Sequence, residues 1–245
     1  MKQFLFLDAA QTCQNKKILL QKKKYKDQII SHYHITEQHQ KELKHSQGDY
    51  FTIKFTEDVL NSKSNLLEKE LEKVIQSFLK KYHKTKPILI VGLGNSEILV
   101  DSLGSNVTGQ MIASNQYNDF LTIPKVALLN PEVIGKTGIS SFKLIRFVVQ
   151  DLKPDLMIII DSLATSDLTS LNRVIEINDT GIIPGSALRT NKEITKKTFG
   201  IPILSIGVPF LYKNENNLFE SIYLKKDMEK ISNIIANSLN QSILF

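Results

Sequence analysis

Ile88-Leu89-Ile90-Val91 runs without a polar residue into Gly92-Leu93-Gly94-Asn95. A strand with one wet face would alternate apolar with polar. A continuous run reads instead as a strand covered on both faces. The pattern recurs over residues 125–129, in Leu156-Met157-Ile158-Ile159-Ile160 and in Ile203-Leu204-Ser205-Ile206-Gly207-Val208. Helical patterns lie between, most clearly over 141–152, where Leu144, Ile145, Val148 and Val149 share a face. Strands alternating with helices predict the α/β class, with a mostly parallel sheet between helices. Residues 174–177 read as a further strand at the sheet edge, and 224–243 as a closing helix.

The 245 residues are enough for one large core. The expected organisation is a single α/β domain over 1–245. It has an irregular region over 1–56, a helix over 57–82, a core over 88–209 and a closing helical segment over 210–245. Strands are expected in the first region at 1–7, 17–20 and 50–55. The helix is predicted by Leu60, Leu67, Leu71, Val74, Phe78 and Tyr82, which recur every three to four residues apart from one heptad gap. No apolar run approaches the ~20 residues of a membrane span. The opening apolar stretch is too short for a secretory signal. Cys13 is the only cysteine, so an internal disulfide is ruled out. These features predict a cytoplasmic protein without a membrane partner. Much of the net charge of +6 sits in Lys16-Lys17 and Lys22-Lys23-Lys24. That reads as a solvated edge or loop rather than a strong nucleic-acid signal.

In open α/β sheets, ligands bind beyond the carboxyl ends of the strands. Asp161 directly follows five apolar residues there, and Asp101 follows the Gly92–Asn95 loop. Burial penalises an ionised carboxylate, and a second carboxylate nearby raises a pKa further. Two that share a proton can serve as general base and general acid. The residues alone equally allow Asp161 to cap the next helix and Asp101 to cap a helix near 103–113. Asp179 and Glu132 are weaker candidates. No histidine follows His83, so a Ser–His–Asp or Cys–His site has no base in these loops. His32 and His34 share a strand face near His39 but lack a zinc spacing, and exposed histidines are the plainer reading. Gly92-x-Gly94 opens like a dinucleotide fingerprint, but Glu97 stands where the third glycine belongs.

Four blocks in order resemble the germination protease (spore protease) family. Gly92-Leu93-Gly94-Asn95 with Asp101-Ser102-Leu103-Gly104 is the first. Pro131 with Val133-Ile134-Gly135-Lys136-Thr137-Gly138-Ile139 is the second, and Lys153-Pro154-Asp155 with Ile160-Asp161-Ser162-Leu163-Ala164 the third. Asp179-Thr180-Gly181-Ile182 with Pro184-Gly185-Ser186, then Phe199-Gly200-Ile201-Pro202 and Ile206-Gly207-Val208-Pro209, make the fourth. The resemblance implies a three-layer α/β/α sandwich like that of hydrogenase-maturation endopeptidases. It implies an endopeptidase that hydrolyses protein or peptide substrates with Asp101 and Asp161 as catalytic pair. Gly94, Asn95, Thr137, Gly138, Asp179, Gly181 and Gly185 would support substrate. Asn95 and the N–H groups of the loops at 92–95 and 180–185 would polarise the carbonyl. No cofactor or metal is expected for the pair; a metal held by the same carboxylates, as related maturation proteases hold one, is a lower-ranked variant, because two carboxylates without histidine suit a transition metal poorly. The family acts on small acid-soluble spore proteins, sheds a propeptide and forms tetramers, which implies assembly with further copies of this chain.

Some neighbours differ. Ile183 stands where the family has histidine, Ser140 where it has glutamate and Ser166 near an expected arginine. Arg189–Lys192 is a reduced form of a longer basic stretch, and one closing helix follows Pro209 where the family has a long region. These differences support a rival, a non-catalytic binding or assembly module on the same fold. A phosphate- or nucleotide-binding enzyme built on Gly92–Asn95 is the third reading.

Overall fold

The computed structural model describes residues 3–12, 18–43, 45–62, 64–116, 123–182, 193–213, 219–221 and 225–245. The chain begins with α1 (Phe6–Thr12), β1 (Leu19–Lys24), β2 (Gln28–Ile35), α2 (Glu37–Leu43) and β3 (Gly48–Phe55). Then follow α3 (Glu57–Asn61), α4 (Leu66–Tyr82), β4 (Ile88–Gly92), α5 (Leu103–Thr108) and β5 (Val126–Leu129). The rest comprises α6 (Ile134–Thr137), α7 (Ser141–Leu152), β6 (Leu156–Thr165), β7 (Val174–Asn178), α8 (Lys196–Phe199), β8 (Ile203–Lys213), β9 (Phe219–Ser221) and α9 (Lys225–Leu244).

One sheet has the order β1-β2-β3-β7-β8-β6-β4-β5, and β9 pairs with the end of β8. The four apolar runs form its parallel half, β8-β6-β4-β5. Alternate residues of β4 reach different layers. Ile88 and Ile90 join the core beneath α4, α5 and α9, while Leu89 and Val91 join the one beneath α7. That two-sided demand is why the strand shows no polar alternation. The α/β class therefore holds, with helices on both faces.

Four expectations change. The sheet is mixed rather than mostly parallel, because β1, β2, β3 and β7 pair antiparallel. Residues 174–177 belong to the interior strand β7, between β3 and β8, and not to an edge. The edge is β1, exposed at all six residues and carrying Lys22, Lys23 and Lys24. Charge on an open edge disfavours pairing with a stray strand. Among the described residues, 3–7 form no strand. Phe4 makes an isolated bridge to Ala164, and α1 starts at Phe6. The helix over 57–82 is two helices, and the break lies in the heptad gap between Leu60 and Leu67. There Ser62 Oγ and Ser64 Oγ accept backbone N–H groups in place of helical carbonyls.

Cys13 and Lys16-Lys17 lie outside the described residues. Among the described residues, no helix is long and apolar enough to cross a membrane.

Candidate active site

The glycines of the first block serve close packing. A Cβ on Gly92 would lie 2.4 Å from the Gly104 carbonyl oxygen, and one on Gly104 would lie 2.5 Å from the Leu93 nitrogen. Both contacts are far inside van der Waals distance, so only glycine lets the start of α5 rest on the end of β4. Gly94 has φ +111, and its Cβ would lie 1.9 Å from the Asp101 carbonyl oxygen. The loop is filled by its own chain, with the Asp101 carboxylate beside it. That arrangement disfavours an anion and leaves the phosphate reading without support.

Asp101 closes the turn Leu99–Asp101, and its Oδ2 accepts the Asn95 N–H at 3.0 Å. It does not cap a helix. The N-cap of α5 is Ser102, whose side chain makes no capping bond. The turn lies against β6 and β8, with Leu99 and Val100 packed on the α9-side core.

Asp161 is 2% exposed. It does not end its strand, because β6 continues to Thr165. β8 stays paired along it, from Asp161 opposite Gly207 to Thr165 opposite Tyr212. On the other side β4 stops at Gly92, opposite Ile160. Past that point the N-terminal segment takes over, with Ala164 N–H donating to Gln3 O and Leu5 N–H to Ala164 O. Asp161 thus sits inside a strand just where one neighbour has ended, and it caps no helix. Its Oδ1 accepts the Ser162 N–H at 2.9 Å. Alternation with Met157 and Ile159 puts its side chain on the α7 side. The Leu93 N–H donates to Ile160 O, which ties the Gly94–Asp101 loop to the residue before Asp161. The Asp101 turn thus packs against the α9-side core, while the Asp161 side chain lies on the α7 side.

The other expected site residues divide. Asn95 belongs to the same loop, where its Oδ1 accepts the Glu97 N–H. Thr137 and Gly138 close α6 at the exposed rim. Thr137 Oγ1 accepts the Ile139 N–H, and Gly138 takes a left-handed cap. Glu132 Oε2 and Lys136 Nζ reach Ser96, which joins this rim to the β4 loop. Gly181 has φ +90, and a Cβ there would lie 2.1 Å from the Ile194 carbonyl oxygen. Gly185 lies outside the described residues.

Asp179 belongs elsewhere. Its carboxylate accepts from Asp49 N–H at 2.8 Å, Lys81 Nζ at 3.1 Å and Tyr82 OH at 2.6 Å. Asp49 in turn accepts from His34 at 2.9 Å, His32 at 3.1 Å and Lys81 at 3.1 Å. Burial works to raise the Asp49 carboxyl, but bonds from His34, His32 and Lys81 outweigh it and hold it at about 2. The two histidines are thus tethered rather than free on an exposed face, and His32 also stacks on Phe51.

Among the described residues, four of the expected carbonyl-polarising N–H groups are already bonded. Leu93 and Asn95 donate as described, Thr180 N–H donates to Asn178 Oδ1, and Ile182 N–H to Ile194 O. Among the described residues, no group of three or more His, Cys, Asp or Glu is placed to hold a metal. The donors near Asp161 are carboxylates, amides and a hydroxyl without imidazole, a poor set for a transition metal.

Sequence reading missed Glu176. Its signal was a single charge inside Val174-Ile175-Glu176-Ile177, a strand buried at every residue. Glu176 Oε2 accepts the Phe6 N–H at 2.6 Å, and Oε1 accepts from Asn178 at 3.4 Å. Burial pushes its carboxyl up to about 8 against these two bonds, and the charge of Asp8 adds to the rise.

Fold and site together define an α/β protein with a buried strand carboxylate beside a glycine-packed loop. The germination protease family model matches residues 6–222, and the chain belongs to that family. It is 34% identical over 194 residues to a germination protease of a Geobacillus species, covering 74% of this chain and 51% of that one. It is 35% identical over 207 residues to the germination protease of Oceanobacillus iheyensis, covering 79% and 56%. The chain thus spans about half the length of the curated relatives it matches. A solved structure, the NiFe hydrogenase maturation protease HycI of Thermococcus kodakarensis, is similar at TM-score 0.43 and 22% identity. That match covers 68% of this chain and 98% of the other.

Proposed function

We propose that this chain is an endopeptidase of the germination-protease type, acting on protein or peptide substrates through Asp161 and Asp101. The observation that carries the reading is the place of Asp161, a buried carboxylate on β6 next to the end of β4, within a family of proteases. One carboxylate takes a proton from the water that attacks the scissile carbonyl. The other gives a proton to the departing amine. The pair shares the titration, so neither role is assigned to one residue. Asp101 also holds the β4 loop closed through Asn95, so loop geometry and carboxylate position are set together.

A non-catalytic module is the second reading, favoured by Ile183, Ser140 and Ser166 standing where the family's polar groups are expected. Proteolysis of a broad peptide library by the purified protein separates the two. The protease reading requires cleavage by the wild type that Asp161→Asn removes. Equal cleavage by both proteins excludes Asp161, and none by either supports the module.

A further inference from the structure

The sheet register sets a row that no stretch of sequence shows. Thr52 pairs with Glu176, Glu176 with Gly207, and Gly207 with Asp161. Directly paired residues share a face. Glu176 and Asp161 therefore stand on one side of the sheet, two strands apart, with only a glycine between them. The Leu163 side chain covers this glycine, 2.6 Å from where a Cβ would stand. Beside Gly207 is a small cavity whose lining includes Asp161, Glu176, Asn178 and Ser205 together with the apolar Leu163 and Ile182. Its volume of about 10 Å³ is close to what one water needs. Ser205 is 5% exposed, and its Oγ has no hydrogen-bond partner among the described residues. A buried hydroxyl in that state calls for a water or another polar atom in the cavity.

The groups facing Glu176 explain how it holds a proton. α1 contributes the Phe6 N–H and the Asp8 carboxylate, β3 contributes Tyr50, and β6 contributes Asp161. Of the cations near β7, Lys54 stands on the same face opposite Val174 but is bonded to Thr169 and paired with Asp167, and Lys81 is bonded to Asp49 and Asp179. Burial, with the Asp8 charge added, favours the neutral form of Glu176, and the two donors only partly oppose it.

We propose that neutral Glu176 is a positioning residue for Asp161. With Ser205 Oγ it holds one water against the Asp161 carboxylate, and ionisation of Glu176 breaks that arrangement. The proton stays on Glu176 and no bond is made or broken there. The inference rests on the protease reading for its effect on turnover, but not for the pairing itself.

The test uses the full chain as wild type, Glu176→Gln and Asp161→Asn, with Glu176→Gln keeping the shape of the neutral acid. Infrared spectroscopy reads the carboxyl group directly. The expected result is a protonated-carboxyl band at pH 7 that Glu176→Gln removes. Asp161→Asn should shift its titration to lower pH, because a neighbouring negative charge is gone. Absence of the band at pH 7, or a titration that Asp161→Asn leaves unmoved, overturns the pairing. In the peptidase assay, wild-type kcat/KM should fall about tenfold per pH unit above about 8. Glu176→Gln should stay within a few-fold of wild type at pH 7 and lose that fall. An alkaline limb identical in the two proteins overturns the positioning role. If wild type cleaves nothing, the protease reading fails and the infrared measurement still decides the pair.

Discussion

Glu176 within β7 and Asp179 just past its end are two carboxylates three positions apart, and their surroundings treat them oppositely. Asp179 meets Lys81, Tyr82 and the Asp49 N–H, the first two from the last turn of α4. Glu176 meets the Phe6 N–H at the start of α1, a long bond from Asn178 and the field of Asp8. Asp49, clamped with Asp179, is held at about 2, whereas Glu176 is pushed to about 8. Burial is part of the difference, because Glu176 is 1% exposed and the Asp49 side chain 21%. The rest lies in what replaces the water. One side supplies a cation and two imidazoles, and the other supplies neutral donors and a negative charge. A carboxylate with a cation acts as a clamp between elements, and one without can keep a proton near neutral pH.

The largest expected effect is on chemistry. Asp161→Asn should lower kcat/KM on a cleaved peptide by about 10²–10⁴-fold, the usual worth of a general acid or base. A change under tenfold would remove Asp161 from the site.

The clamp should answer in stability. Asp179→Ala strips partners from the Asp49 N–H, Tyr82 OH and Lys81, and should cost about 1–3 kcal/mol in urea unfolding. Activity per folded molecule should stay near wild type. A selective loss of activity would return Asp179 to the substrate-supporting role read from the sequence.

The two sides should also have opposite pH signatures. Glu176 is raised when folded, so its proton-linked stability is full below about 4.5 and is lost as pH rises towards about 8. The stability of wild type relative to Glu176→Gln should therefore decline across that window. Asp49 is depressed when folded, so its contribution is full above about 3.8 and is lost as pH falls towards about 2. Asp49→Asn should flatten that acid limb, and a limb of unchanged slope would show that the clamp does not govern it. Lys81→Met should give the smallest effect, about 1 kcal/mol or less, because Lys81 is half exposed and salt screens it. Loss of its salt dependence is the measurement to make.

The apolar runs at β4, β6 and β8 were legible because burial on two faces removes alternation. Amphipathic α7 was legible through its helical period. The antiparallel half was read less well. β7 is short and its neighbour β3 lies far away in sequence, so nothing local marked it as interior. The end of β6 was misplaced because aspartate after apolar residues resembles a strand end. β8 and the Gln3–Leu5 segment supply the pairing that carries it on. Asp179 read as a site residue since it sits in a family block, while its partners Lys81 and Tyr82 come from a distant helix.

By itself the sequence determined the α/β class, the buried strands and the family blocks, including Asp101 and Asp161. Those follow from local periodicity, glycine packing and the order of short motifs, all written along the chain. The tertiary structure alone decided which carboxylates share surroundings. It sent Asp179 to Lys81 and Asp49, and set Glu176 in a row with Asp161 across Gly207. Strand register makes those assignments, and register is fixed by pairing between segments far apart in the chain. The charge each carboxylate then carries depends on neighbours that only folding brings within reach.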